Sequence, residues 1–161
     1  MAIAPFLKSK GQIFIHDIRK NILVEARRRL RRAEVNNYQL HNDKNALKVI
    51  LKNKCDWILL DVPCTGSGTL RRNPDLKWKF SIEKLDELLH VQQKILSEAV
   101  EMLKPKGKIV YVTCSLIAEE NLSQVVKFCK EFGFKIENET IFQTVPRSKQ
   151  MDGFFSVTLT K

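Results

Sequence analysis

The sequence predicts an α/β protein: a doubly wound sheet with helices on both faces. Three observations carry that expectation. Short apolar runs alternate with amphipathic helical segments along the whole chain. Two runs, WILLD at 57–61 and KIVYVTC at 108–114, have the near-continuous apolar character of strands buried on both faces. The least regular stretch, 62–80, begins where the first of these ends, and open α/β sheets hold their ligands beyond the carboxyl ends of their strands.

Each element has its own warrant. QIFIHD (12–17) is a short apolar run closed by an acid. The helix IRKNILVEARRRLRRA (18–33) follows, with Ile22, Leu23, Ala26, Leu30 and Ala33 on one stripe. NYQLHND (37–43) reads as a second short strand and WILLD as a third. Ser81 suits an N-cap, although Lys84 stands where a capping box has Glu or Gln. The helix it opens runs from about 82 to 104, with Ile82, Leu85, Leu88, Leu89, Ile95, Leu96, Ala99 and Leu103 inward and KPKG as its stop. After KIVYVTC, the segment EENLSQVVKFCKEFG is a helix with Leu122, Val125, Val126, Cys129 and Phe132 inward and Gly133 ending it. FKIEN and FFSVTLT close the chain as strands, antiparallel near one edge.

Composition narrows the class. The chain has 161 residues, enough for one domain with a real core, and is 43% hydrophobic and 29% charged. It has no apolar run long enough for a membrane span, and MAIAPFLKSKGQ lacks the basic lead-in of a signal peptide, so a cytoplasmic protein is expected. The net charge of +10 suits a polyanionic partner or a protein that is simply basic. Cysteines 55, 64, 114 and 129 form no CxxC pair and the histidines at 16, 41 and 90 are scattered, which argues against zinc and against a disulfide framework.

The polar residues at strand ends are the candidate site. Asp17, Asp43, Asp61, Cys64 and Cys114 all fall at or just after predicted strands, so one rim of the sheet gathers them. If the strands ending at Asp61 and Cys114 are neighbours, their backbones lie roughly 4.8 Å apart. Two thiols that close can flank one small planar ring. Other features stay open. Asp17 either contacts a ligand or caps the next helix. Cys55 and Cys129 read as structural, Cys129 as a small hydrophobe on an apolar stripe. GSG at 66–68 is a turn or a phosphate loop, and neither GxGxxG nor GxxxxGK[ST] occurs. RRRLRR (27–32) fits the solvated side of its helix. RRNPDLKWK is different: Arg71, Arg72, Lys77 and Lys79 surround Trp78, a mixture of phosphate contacts and a stacking surface that suits single-stranded RNA.

Three stretches, DVPCTGSGTLRRNPDLKW, GKIVYVTCSLIAEEN and MDGFFSVTLTK, resemble the RNA cytosine-C5 methyltransferases of the Sun/Nop2 group, nearest to the bacterial enzymes that act on small-subunit ribosomal RNA. The resemblance covers essentially the whole chain. It implies a Rossmann-like class I methyltransferase sheet, S-adenosylmethionine as cofactor and ribosomal RNA as partner, with no metal and no membrane. It also implies roles. Cys114 is the nucleophile that adds to C6 of cytosine, and Cys64 is the second thiol, which assists release of the product. Asp61 bonds the cytosine edge near N3 and N4 and also belongs to the cofactor set. Pro63 fixes the turn that aims Cys64. Asp17 takes the cofactor's ribose hydroxyls and Asp43 lies near its adenine. Arg71, Arg72, Lys77 and Trp78 face the RNA, whose target base leaves its stack.

The chain departs from the family pattern at its start. Members open their catalytic domain with a strand and a glycine-rich loop of the type DxCAAPGGK, and bacterial ones carry an RNA-binding domain before it. Here MAIAPFLKSKGQIFIHD resembles the helix after that loop. The missing strand belongs between those ending at Asp17 and Asp61. The expectation is that residues 1–161 are a partial methyltransferase domain, a C-terminal fragment whose activity is in question. The alternative is a non-catalytic basic RNA-binding fragment or the relic of a split gene.

Overall fold

The computed structural model describes residue 7 and residues 10–137, 140–146 and 151–161. The chain divides into two compact units, Met1–Ile50 and Leu51–Lys161. In the first, strand β1 (Ile13–His16) leads to helix α1 (Lys20–Arg32), strand β2 (Tyr38–His41) and helix α2 (Lys44–Leu51). β1 and β2 pair in parallel, with Ile13 opposite Tyr38 and His16 opposite His41. α1 turns Leu23 and Leu30 inward, while Ile22, expected on the same stripe, is exposed.

Two local details correct the sequence reading here. Asp17 does not cap α1: the cap position is Arg19, which has no side-chain cap bond, and Asp17 instead holds the Arg19 backbone N–H and guanidinium. α2 was not expected as a helix at all. Asp43 opens it, Oδ1 accepting from the backbone N–H groups of Asn45 and Ala46.

The second unit holds a mixed sheet. Its strands are β3 (Cys55–Asp61), β4 (Leu103–Thr113), β5 (Lys135–Ile136), β6 (Phe142–Thr144) and β7 (Phe154–Thr160). The order is β3-β4-β7-β5, with β6 also on β7. β3 and β4 run parallel, and β7 runs antiparallel to β4 and β5, as expected for the chain's last strands. Among the described residues β3 pairs with β4 alone and β1 with β2 alone, so each presents an open edge.

Helices α4 (Ile82–Met102) and α5 (Leu122–Phe132) cover the sheet, and a short helix α3 (Leu76–Lys79) stands before them. Ser81 caps α4 as read, its Oγ accepting from the Lys84 N–H. Gly133 ends α5 in the left-handed conformation, φ 69°. The core interleaves Leu96 and Ala99 of α4, Val125 and Phe128 of α5, Ile109 and Tyr111 of β4, and Phe155, Val157 and Leu159 of β7. These strand residues alternate, so one face of β4 and β7 receives both helices.

WILLD is correspondingly not buried on both sides. Ile58 and Leu60 pack on the core, but Trp57 and Leu59 point to the other face and are 59% and 52% exposed. Leu122 and Val126 are likewise exposed on α5, because Val125 and Phe128 take the inward stripe. KPKG is the first part of β4 rather than a free helix stop, with Leu103 already paired to Cys55.

Phe128 anchors this core, fully buried and 5.0 and 5.1 Å from the ring centroids of Phe132 and Phe134. Phe128→Ala is expected to cost about 3–5 kcal/mol in urea unfolding. Trp78→Ala, at an 82% exposed position, is expected to stay within about 0.5 kcal/mol.

Candidate active site

The β3–β4 register builds the site. Asp61 lies opposite Val112, and the Val62 N–H donates to the Val112 carbonyl (3.2 Å), so the two chains leave the same sheet edge side by side. The first then turns through Cys64 and the glycine loop. Gly66 takes a left-handed φ of 70°. At Gly68 the backbone meets another segment: an added Cβ would lie 2.2 Å from the Gly153 oxygen. Gly68 N–H donates to the Cys114 carbonyl and its own carbonyl accepts from Gly153, both at 2.9 Å. One glycine thereby joins the Cys64 loop, the Cys114 loop and the entry to β7.

This closure sets Cys64 Sγ 3.4 Å from Cys114 Sγ. Both side chains are half-buried and free of disulfides. The Cys64 S–H hydrogen bond pulls the Cys114 thiol down to about 7, against burial and the charges of Asp61 and Glu120, which push it up. The same bond, together with burial, pushes Cys64 well above its usual range. Of the two, Cys114 is thus the thiol that gives up its proton more readily. Burial raises the Asp61 carboxyl as well.

A polar bed lies beneath the thiols. Glu120 is fully buried, and its carboxylate accepts from the Thr65 N–H (2.9 Å), the Thr65 hydroxyl (2.6 Å) and the Gln92 amide (3.0 Å). Gln92 Nε2 also donates to the Pro63 carbonyl at 3.0 Å. Asn121 accepts from the Thr113 hydroxyl (2.5 Å) and donates to the Ser115 carbonyl (2.9 Å). The Ser115 hydroxyl meets those of Thr65 and Ser67 at 3.2 and 3.1 Å.

Of the residues singled out in the sequence, the structure brings Asp61, Pro63, Cys64 and Cys114 to this one edge. Arg71 and Arg72 turn out to be tied down. Both approach the buried Asp152 carboxylate, Arg72 at 2.5 Å and Arg71 at 3.7 Å, and so brace the loop against the entry to β7. Lys77 and Trp78 instead face outward on α3, the ammonium 5.5 Å from the indole centroid. In the first unit, Asp17 and Asp43 follow the paired ends His16 and His41 of β1 and β2. Arg19 holds the Asp17 carboxyl below its usual range. An ionised carboxylate there is an acceptor only, which suits the two hydroxyl donors of a ribose. Asp43 spends one oxygen on its helix cap.

Glu120, Gln92, Asn121 and Asp152 were not singled out from the sequence. Gln92 carried a signal: it is a polar residue on the apolar stripe that runs through Leu85, Leu89, Leu96 and Ala99. Among the described residues no group of three or more His, Cys, Asp or Glu side chains converges as a metal site, and no helix is long and apolar enough to cross a membrane.

Relatives of known identity share this arrangement of sequence and fold. The ribosomal RNA small subunit methyltransferase F of Aeromonas salmonicida is 32% identical over 149 residues, covering 92% of this chain and 31% of the relative. The methyltransferase B of an Enterobacter species is 37% identical over 116 residues, covering 66% and 26%. The chain therefore spans about a quarter to a third of the length of the curated relatives it matches. Among solved structures, NSun6 from Pyrococcus horikoshii, determined with SFG, an analogue of S-adenosylmethionine, superposes with a TM-score of 0.85 at 30% identity. That match covers 99% of this chain and 44% of the other. A methyltransferase homologue from the same organism gives 0.82 at 26% identity, over 99% and 56%. The fold is thus the Rossmann-like sheet of S-adenosylmethionine-dependent methyltransferases. The family model for the 16S rRNA methyltransferase RsmB/F matches residues 1–160, and the chain belongs to that family.

Proposed function

We propose that this chain carries the thiol chemistry of an RNA cytosine-C5 methyltransferase, acting on 16S ribosomal RNA in the cytoplasm. The observation that supports it most is the Cys64–Cys114 pair, 3.4 Å apart at the ends of adjacent parallel strands and unequal in proton affinity.

Position C5 of cytosine is too weak a nucleophile to take a methyl group unaided. The Cys114 thiolate adds to C6, and the electron pair of the C5–C6 double bond becomes available at C5. Asp61 assists at the base edge: its carboxyl, raised by burial, hydrogen-bonds the cytosine near N3 and N4, which favours the electron-rich adduct. S-adenosylmethionine, when bound, supplies the electrophilic methyl group. Asp17 would hold its ribose hydroxyls and Asp43 would lie on the adenine side. After methylation a base takes the C5 proton, the C5–C6 double bond re-forms, and the C–S pair returns to Cys114. The Cys64 S–H stabilises that leaving thiolate as it stabilised the attacking one. Lys77 and Trp78 supply a phosphate contact and a stacking surface for the RNA. Arg71 and Arg72, braced on Asp152, shape the loop that carries them.

Two experiments test the division of labour. With cofactor and RNA containing 5-fluorocytosine, the native chain is expected to form a covalent complex visible on a denaturing gel. Cys114→Ala should abolish it, and Cys64→Ala should let a complex form and accumulate with normal RNA as well. Like behaviour of the two variants would sink the assignment, and salt-sensitive RNA binding with no adduct would leave a binding protein only.

Thiol titration gives the second test. The thiolate is the reactive form, so alkylation of Cys114 by iodoacetamide should rise through a midpoint of about 7 and level off above it. Cys64→Ala removes the largest influence that lowers Cys114 but leaves its burial and the charges of Asp61 and Glu120, which raise it. The midpoint should therefore move up. An unmoved midpoint, followed by mass spectrometry of the labelled peptide, would contradict the shared proton.

A further inference from the structure

The polar bed holds the residues on either side of both cysteines. On one side, Gln92 holds the carbonyl before Cys64, that of Pro63, and Glu120 holds the N–H after it, that of Thr65. On the other side, Asn121 holds the Thr113 hydroxyl before Cys114 and the Ser115 carbonyl after it. Glu120 and Asn121 are consecutive residues, at the end of the short 3-10 turn Ala118–Glu120 that opens α5. Tyr111 fixes the pair from below, its hydroxyl donating to the Glu120 carbonyl at 2.7 Å.

We propose that Glu120 and Asn121 are positioning residues that clamp the Cys64 and Cys114 loops to one support and so set the distance between the two thiols. The proposal rests on the methyltransferase reading for its purpose, though not for its geometry. Stability alone does not account for the clamp. A fully buried carboxylate carries a desolvation cost, and apolar side chains of the same size serve a core at least as well. Three directed donors on Glu120 do what apolar contacts cannot: they fix where the Cys64–Thr65 peptide lies to within a hydrogen-bond length. Thiol chemistry between groups 3.4 Å apart depends on that precision, since an error of about 1 Å can cost around a hundredfold in rate.

The clamp predicts that the thiols behave as a chelating pair even in the absence of RNA. Phenylarsine oxide reports this directly: its arsenic condenses with two thiols to form two As–S bonds, releasing one water. The comparison uses the native chain, Glu120→Gln, Thr65→Val and Thr65→Ser, each first shown to keep a cooperative urea transition. Glu120→Gln loses one acceptor of the carboxylate, and Thr65→Val is the milder change, which removes one donor and leaves the charge. Both are expected to bind the arsenical about tenfold or more weakly than the native chain, as the second thiol's effective concentration falls. Thr65→Ser keeps the hydroxyl and should bind as the native chain does. Folded Glu120→Gln and Thr65→Val that retain native arsenical affinity would overturn the clamp. The 5-fluorocytosine adduct, run on the same proteins, separates the two ideas. A native chain that chelates arsenic as described but never forms the adduct would leave the clamp standing and remove the methyltransferase reading.

Discussion

The pairing of β3 with β4 in parallel is the constraint on which the site depends. Parallel neighbours end at the same sheet edge, so the loops after Asp61 and Thr113 start side by side. An antiparallel pair would send them to opposite edges, and two cysteines so far apart in sequence would have no reason to meet. β7 completes the arrangement by running the other way. Because Phe155 lies opposite Thr113, β7 begins where β4 ends, and the residues just before it, Asp152 and Gly153, arrive at the same edge. Three segments from three parts of the chain then close on Gly68.

Beneath that edge the protein spends polarity where most folds place hydrocarbon. Gln92, Thr113, Ser115, Glu120, Asn121 and Gln124 are all buried. Their side-chain groups are satisfied by one another and by loop backbone, with the Gln124 amide closing the group on Gln92 and on the Leu89 carbonyl. A network of this kind tolerates no half-measures, because an unpaired member in a low dielectric costs more than an apolar residue would. Below it the apolar layer of Leu96, Ile109, Val125 and Phe128 is conventional. The core supplies stability, and the polar layer turns that rigidity into direction at the two sulfurs.

Much of this was legible in the sequence. The strand ends, the capped α4, the Gly133 stop and the antiparallel closing strand follow from local pattern, and so does the placing of Asp61, Cys64 and Cys114 on one edge. What escaped was long-range. Arg71 and Arg72 look like free phosphate contacts in RRNPDLKWK, because nothing local announces that Asp152 will meet them. Nothing local in AEEN separates Glu120 from its neighbour Glu119, yet Glu119 is exposed while Glu120 is fully buried. Only the fold of the Cys64 loop distinguishes them. α2 escapes for a different reason: Lys44–Leu51 is short, and its opening acid, Asp43, equally suits a ligand contact. Trp57 and Leu59 show the limit of composition, since a run of apolar residues does not reveal how many faces of a strand are covered.

The asymmetry of the two thiols follows from position rather than from any difference in chemistry. Burial opposes charge on both, and Cys64 is the more deeply buried of the two. The charges of Asp61 and Glu120 oppose a thiolate at Cys114 as well, so neither sulfur would ionise readily alone. A single proton shared across 3.4 Å resolves this: one sulfur keeps it and donates, and the other is relieved of its own. Cys64 holds the proton the more tightly, which favours the charge on Cys114. An apolar substitute at Cys64 would therefore remove more than a neighbour. It would return Cys114 to an environment that disfavours its charge, so the thiolate forms only at higher pH and leaves an adduct more reluctantly once one has formed.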